Sequence, residues 1–242
     1  MMYSELTPWY HLIDPVADHE DEAEAYLAGF ARAVTGPAET LLELGVGAGN
    51  NAYYLKRRYR CTLTDVSEPM LALSRAQNPE CEHLPGDMRS LRLGRTFDAV
   101  LLHDAIVYMT TEEDLLAAAT TACLHTRRGG AAIVAPDFLR DTFHEKTLLI
   151  EGEEGTRALR GIEWCWDPDP GDTTYMVEYG FLLREDNSAT MVHDRHMEGL
   201  FAEADWKRLL GKAGFEVEMI ERPVGPGEVD RIFLCRRPLP DH

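Results

Sequence analysis

Leu41-Leu42-Glu43-Leu44-Gly45-Val46-Gly47-Ala48-Gly49 is the stretch on which the reading of this chain turns. Residues 40–44 have the apolar character of a short strand, and they run directly into three glycines at alternate positions before a helical segment that reaches about Arg58. Glycine has no Cβ, so such a loop lets backbone approach a ligand closely. The helix start behind it offers unpaired N–H groups. Outward from the loop, residues 60–65 read as a second strand ending at Asp65, and Ser67 can cap the next helix, which carries Met70, Leu71 and Leu73. A short strand is predicted near Cys81–Leu84, ahead of Gly86-Asp87-Met88. Residues 97–103 are short and almost wholly apolar, the pattern of a buried central strand. Thr110-Thr111-Glu112-Glu113 fits a capping box for a helix to about His125, Gly129-Gly130 closes it, and residues 131–135 form the next buried strand. Strand and helix alternate, which predicts a parallel sheet covered on both faces.

Asp65 lies twenty residues after Gly45. A carboxylate at that strand end can accept hydrogen bonds from both hydroxyls of a ribose. Two cofactor classes use such a layout. A nicotinamide site usually reads GxGxxG, with the helix start facing a pyrophosphate, whereas this loop reads ExGxGxG. Glu43 would repel a diphosphate and suits a cofactor that has no phosphate and carries positive charge. S-adenosylmethionine, with its sulfonium and ammonium groups, meets both conditions.

Residues 38–138 resemble the class I S-adenosylmethionine-dependent methyltransferases. The resemblance rests on the glycine loop just quoted, on Thr62-Leu63-Thr64-Asp65-Val66-Ser67, on Gly86-Asp87-Met88-Arg89, on Phe97-Asp98-Ala99-Val100 and on Gly129-Gly130 before a strand. It implies that Glu43, Gly45, Gly47 and Gly49 shape the pocket for the methionine half, that Asp65 holds the ribose, and that Val66 packs on the adenine. It also implies that Asp87 accepts from the adenine amino group, with the Met88 backbone beside the ring. His103 and Asp104, just beyond the fourth strand, would face the cofactor and the substrate entrance, where either could take a proton from the acceptor; a lone histidine at a strand end is more often a hydrogen-bonded structural group. Tyr10 reads as an aromatic over the cofactor or as core packing. The N-terminal helix and the insertion described next are similar to small-molecule N-methyltransferases, such as those acting on glycine or on amino sugars.

Residues 20–34 read as a helix with Tyr26, Leu27, Phe30 and Val34 on one side, ended by Gly36-Pro37. After residue 138 the alternation breaks. Residues 160–168, 173–185 and 189–200 read as three strands without helices between them, and Tyr175, Val177, Tyr179, Phe181 and Leu183 alternate onto one face. Residues 203–213 return to helix with Trp206, Leu209 and Leu210 inward and Gly214 as its C-cap, and 215–221 and 229–236 form a closing pair. The predicted fold is α/β: a Rossmann-like, doubly wound seven-stranded sheet, its last strand antiparallel, with an inserted antiparallel meander. Its parts are an N-terminal helical cap segment (1–36), a cofactor-binding core (37–138), the inserted β cap (139–200), and a C-terminal helix with closing strands (201–242). The cap and residues 1–20 are expected to roof the substrate pocket.

Apolar residues make up 45% of the chain and charged residues 27%, so a packed core is expected rather than disorder. The net charge of −18 argues against a nucleic-acid partner, since a phosphate backbone is met by a basic face. The basic cluster Lys56-Arg57-Arg58-Tyr59-Arg60 fits cations at a helix end. Five dispersed cysteines suggest reduced thiols in a cytoplasmic protein, and no apolar run reaches the ~20 residues of a membrane span. His193 and His196 fall on opposite faces of one strand, and with His144 they form no metal set; no metal is expected. Trp164, Trp166, Tyr175 and Tyr179 read as sheet packing with one reaching substrate. The expected function is methyl transfer from S-adenosylmethionine to a nitrogen or oxygen of a small molecule, by in-line displacement. The alternatives are an NAD(P)-dependent oxidoreductase and a non-catalytic S-adenosylmethionine-binding protein. An exposed strand of the meander offers a surface for a homodimer.

Overall fold

The computed structural model describes residues 1–225 and 228–240. In chain order its elements are α1 (Tyr10–Ile13), α2 (Glu20–Ala33), β1 (Thr40–Leu44), α3 (Asn50–Leu55), β2 (Arg60–Asp65), α4 (Glu68–Gln77), β3 (Glu82–Pro85), β4 (Phe97–His103) and α5 (Glu112–His125). There follow β5 (Thr126–Ala135), β6 (Lys146–Glu154), β7 (Arg157–Trp166), β8 (Thr174–Glu185), β9 (Ser188–Gly199), α6 (Glu203–Ala213), β10 (Glu216–Gly225) and β11 (Glu228–Arg236). Seven strands form one sheet in the order β10-β11-β5-β4-β1-β2-β3, and β6 to β9 form a second sheet of their own. In the large sheet β11 runs antiparallel to both neighbours, and the pairings among β1 to β5 are all parallel.

The central strands are apolar on both faces because both faces are covered. Strand alternation sends Leu42, Leu44, Val100, Leu102, Ala132 and Val134 to the side packed by α5 and α6, where Leu115 and Trp206 are buried. Leu41, Ala99, Leu101 and Ile133 go to the other side, against Tyr26 and Phe30 of α2. Thr111 caps α5, its hydroxyl accepting from the Asp114 N–H at 3.2 Å. Thr111→Ala is expected to lower stability by about 1 kcal/mol in urea unfolding, with cofactor affinity unchanged.

Three local expectations are corrected. The meander has four strands, not three. Its outer strand β6 gives no alternating signal, because at this sheet edge Leu148, Leu149 and Ile150 stand together, all partly exposed. Gly129-Gly130 does not close α5. The helix passes directly into β5 at Thr126, and the two glycines form an irregularity inside the strand, where pairing with β4 slips between Phe97 and Ala99. Helix α3 ends at Leu55 rather than at Arg58, and residues 56–58 continue as turns.

The inner face of the second sheet carries Tyr175, Val177, Phe181 and Leu183, all buried. Met2, Leu6 and Leu12 of the N-terminal segment pack there with Leu159. The approach is close: a Cβ on Gly152 would lie 2.7 Å from the Cβ and carbonyl oxygen of Leu12. Sheet and N-terminal segment together form a lid over the carboxyl ends of the parallel strands.

Candidate active site

Beneath this lid lies a cavity of about 1100 Å³, lined by the ends of β1, β2 and β4, by the N-terminal segment and by the inner face of the second sheet. It occupies the position where open parallel sheets bind ligands.

The floor is the glycine loop. Gly45, Gly47 and Gly49 have φ of +80°, +55° and +82°, in the left-handed region. A Cβ on Gly45 would lie 2.3 Å from the Ala105 Cβ and 2.9 Å from the Met88 Cε, so no larger residue fits. At Gly47 the nearest atom would be 3.8 Å away, and that side opens to the cavity. Asp65 is buried at the tip of β2; its Oδ2 accepts from the Gly47 N–H and its Oδ1 from the Ser67 N–H, each at 2.8 Å. Val66 stands 72% exposed in the cavity wall. Asp87 is gripped by Arg89, whose Nε is 3.1 Å from both carboxylate oxygens, and this holds its carboxyl below the usual range. Met88 is buried beside Gly45, and Tyr10 lines the cavity from α1, its hydroxyl held well above its usual range first by burial and then by Asp14.

Glu43 lines the same space at 3% exposure, and its Oε2 has no partner. Burial pushes its carboxyl up to about 8 against the pull of His103 and His19. An orphaned carboxyl under a glycine loop calls for a cation, and it makes a poor neighbour for a diphosphate. The residues present therefore fit S-adenosylmethionine.

His103 ends β4 and is enclosed by acids. Its Nε2 lies 2.7 Å from Asp104 Oδ1 and 3.1 Å from Glu22 Oε2, and the Asn51 amide meets Nδ1 at 3.1 Å. Burial opposes the imidazolium, but Asp104 and Glu22 outweigh it and hold the group well above its usual range. His19 behaves alike, raised to about 10 between Asp14 and Glu22 although burial opposes it. Asp14, His19, Glu22, His103 and Asp104 thus form a chain of alternating charge that ties α2 to the end of β4. With Nε2 turned to the two carboxylates and Nδ1 taken by the Asn51 amide, His103 has no open lone pair for the acceptor's proton, so within the pair the carboxylate of Asp104 is the group able to receive it. Asp104 itself sits at φ +42°, a strained position for a non-glycine residue. Nearby Asp137 has its carboxyl held well above its range by the enclosing walls and by the neighbouring Asp104 charge.

The lid supplies two carboxyl groups that the sequence reading did not single out. Glu163 of β7 and Glu198 of β9 line the cavity with Tyr108, Tyr175 and Tyr179. Glu198 is buried and accepts from the Tyr175 hydroxyl; burial, together with Glu163 and Asp104, pushes it up to about 7. The signal for Glu198 was available, since it shares the inward face of β9 with His196, opposite Val177 and Tyr175 of β8. His193 points outward to Glu178 at 2.6 Å and His196 inward to Tyr108 at 2.7 Å, on the opposite faces that their spacing predicts. Trp164 and Trp166 stack on each other away from the cavity, whereas Tyr175 and Tyr179 reach it. Among the described residues no group of His, Cys, Asp and Glu could hold a metal.

Residues 41–130 match the model of a family described as a methyltransferase domain. The chain is 27% identical over 209 residues to the dTDP-3-amino-3,4,6-trideoxy-alpha-D-glucopyranose N,N-dimethyltransferase of Streptomyces venezuelae, covering 83% of this chain and 86% of that one. It is 27% identical over 213 residues to the dTDP-3-amino-3,6-dideoxy-alpha-D-glucopyranose N,N-dimethyltransferase of Streptomyces fradiae, covering 86% and 81%. The crystal structure of Streptomyces venezuelae DesVI superposes with a TM-score of 0.80 at 23% identity, covering 97% of this chain and 98% of that one.

Proposed function

We propose, from the premise that the chain is a class I S-adenosylmethionine-dependent methyltransferase, that its acceptor is the amine of an amino sugar. The observation that carries this reading is the acceptor end of the cavity, where Asp104, Asp137, Glu163 and Glu198 meet three tyrosines. Such a wall attracts an ammonium group and supplies acceptors for its N–H bonds, and the tyrosines can bond sugar hydroxyls. The two relatives act on amino sugars by name, which agrees.

In this reading Glu43 meets the ammonium of the donor, Gly45, Gly47 and Gly49 admit its methionine half, and Asp65 takes the ribose hydroxyls. Val66 and Met88 flank the adenine, Asp87 accepts from its amino group, and Tyr10 closes over the sulfonium side. Residues 1–36 and 139–200 act as the two halves of the lid, with 37–138 and 201–242 as the body beneath. His103, bonded to Asp104 through Nε2, fixes that carboxylate toward the acceptor nitrogen. S-adenosylmethionine supplies an activated methyl with a good leaving group. The protein aligns nucleophile and methyl and excludes water, and positioning of this kind contributes roughly 7–11 kcal/mol.

The test is mass spectrometry of reactions containing S-adenosylmethionine and a panel of amino sugars, free and dTDP-linked, with the matching hydroxyl sugars as controls. Methylation of amines alone is expected. Methylation confined to hydroxyl sugars, or none at all, would end the reading.

Two partner statements belong to the same reading. Leu149, Leu182 and Met191 stand 76%, 54% and 78% exposed on the outer face of the lid sheet, and Ile162, paired with Leu149, extends the patch. Soluble monomers rarely show a contiguous apolar face of this kind, so this face pairs two copies. Leu149→Asp with Met191→Asp is expected to convert a dimer to a monomer in sedimentation velocity, and a wild type that sediments as a monomer refutes the pairing. All five cysteines are unpaired, and no helix among the described residues is long and apolar enough to cross a membrane. Both fit a cytoplasmic protein, and the acidic surface fits one without a nucleic-acid partner.

A further inference from the structure

We infer that Asn51 is a second acceptor for the ammonium group of the methyl donor, beside Glu43, and thus a donor-binding residue. The inference rests on the placement of the donor given above. It begins from the polar atoms that folding leaves without partners. Among the described residues, the buried side-chain oxygens with no hydrogen-bond partner are Glu43 Oε2, Asn51 Oδ1 and Asn78 Oδ1. Glu43 and Asn51 line the cavity, and Asn78 does not. Folded chains seldom bury an acceptor without a donor to meet it, because the lost hydration is then not replaced. Two such acceptors at one cavity call for a ligand that carries several N–H bonds.

The orientation of the Asn51 amide is fixed by its neighbours. Its Nδ2 lies 3.1 Å from Glu22 Oε2 and 3.1 Å from His103 Nδ1. Burial opposes ionisation of Glu22, but His103 and His19 outweigh it and hold the carboxyl well below its usual range. Turned round, the amide would set Oδ1 against that carboxylate with no hydrogen between the two oxygens. Oδ1 therefore faces away from Glu22 and His103. Its place follows from the register of the sheet. Leu101 of β4 stands opposite Glu43 of β1, so His103 comes two residues further along the same face. Asn51, in the first turn of α3, rests on that ring from behind the glycine loop. Glu43, His103 and Asn51 thus enclose one corner of the cavity from β1, β4 and α3, at the loop that admits the methionine half.

An ammonium group carries one positive charge and three N–H bonds. Glu43 supplies the countercharge and takes one of the three. The carbonyl of Asn51 takes a second without setting another carboxylate beside Glu22 and Glu43, and the bond is strengthened by the charge on the ligand. The same amide keeps its contacts with Glu22 and His103, so one side chain joins the donor's ammonium to the histidine that holds Asp104. The acceptor's amine has its own partners in Asp104, Asp137, Glu163 and Glu198 and does not call on Asn51.

The experiment is calorimetry of wild type and Asn51→Ala with three ligands. S-adenosylhomocysteine carries the whole amino-acid end. Its deaminated analogue keeps the carboxylate and lacks only the amine, and 5′-methylthioadenosine lacks that end altogether. The expected result is a loss of about 10- to 100-fold for S-adenosylhomocysteine, with the other two held within about threefold of wild type. A residue that only props Glu22 and His103 would weaken all three ligands alike, and that outcome overturns the inference. So does an alanine variant that binds S-adenosylhomocysteine as wild type does. Should the variant not fold, a crystal of wild type with S-adenosylhomocysteine decides: Asn51 Oδ1 is expected within hydrogen-bond distance of the α-nitrogen, and a separation beyond about 4 Å overturns the inference. Failure of wild type to bind S-adenosylhomocysteine sinks the donor reading instead, and this inference with it.

Discussion

Asp65→Ala is expected to weaken binding of S-adenosylhomocysteine by about 10²- to 10⁴-fold in calorimetry, while the protein stays folded. The carboxylate sits where two hydroxyls of an adenosyl ribose can both donate to it, and charge-assisted bonds contribute about 1.5–3 kcal/mol each, a sum that corresponds to that range. Alanine also releases the N–H groups of Gly47 and Ser67, which Asp65 now holds at 2.8 Å, so the loop loses its tether together with the ligand contact. Asp65→Asn separates the two effects: it keeps an acceptor of the same size, loses the charge, and should fall between wild type and alanine. An alanine variant that binds within about threefold of wild type would show that the ribose lies elsewhere, since even one lost charge-assisted bond exceeds that factor.

The parts of this fold that were legible in sequence are those whose burial is simple. Strand β4 is covered on both faces and reads as an almost wholly apolar run; strand β8 is covered on one face and places Tyr175, Val177, Tyr179, Phe181 and Leu183 at alternate positions. Strand β6 was missed because it lies at a sheet edge, with Leu149 at 76% exposure outside and Gly152 pressed on Leu12 inside, so that neither face has a uniform polarity. The glycines at 129 and 130 were misjudged because a positive φ at Gly129 is as compatible with a bulged strand as with a helix end.

The candidate site divides in the same way. Its donor half is built from residues close together in sequence, a loop and two strand tips, so spacing alone brings Glu43, the glycines and Asp65 to one place. The acceptor half is assembled from separate parts of the chain. Glu198 meets Tyr175 across a strand pairing, and Tyr108 reaches His196 over 88 residues of sequence. No local pattern marks such groups. Register within the meander was the one available clue, and it identified the inward face without showing that the face formed a cavity wall. The raised proton affinity of His103 was likewise invisible, because beside its neighbour Asp104 it depends on Glu22, far earlier in the chain, lying 3.1 Å away.

The pH dependence of donor binding follows from Glu43. In the empty protein burial raises its carboxyl from an ordinary 4.5 to about 8, so at pH 7 it is largely protonated and neutral. A donor that brings an ammonium group to this point favours the ionised form, and binding near pH 7 should release close to one proton. Apparent affinity should therefore climb by up to about tenfold per pH unit below pH 8, and level off above it until the donor's own amine deprotonates. Glu43→Gln removes both the charge and the titration. At pH 8 it should bind S-adenosylhomocysteine about 30- to 1000-fold more weakly, the usual range for removing one member of a buried charged pair, with no proton release and a flat profile. Near pH 5 the two proteins should converge, since wild-type Glu43 is then neutral as well. The stability of the empty protein gives an independent reading with a definite sign. A carboxyl raised by folding holds its proton more tightly in the folded state, so its contribution is complete below pH 4.5 and is lost as pH rises toward 8. Glu43→Gln should lack that decline in a series of unfolding curves. A wild type whose donor affinity ignores pH, in buffers of differing ionisation enthalpy that report no proton release, would remove Glu43 from the ammonium site and with it the electrostatic reason for preferring a sulfonium donor over a dinucleotide.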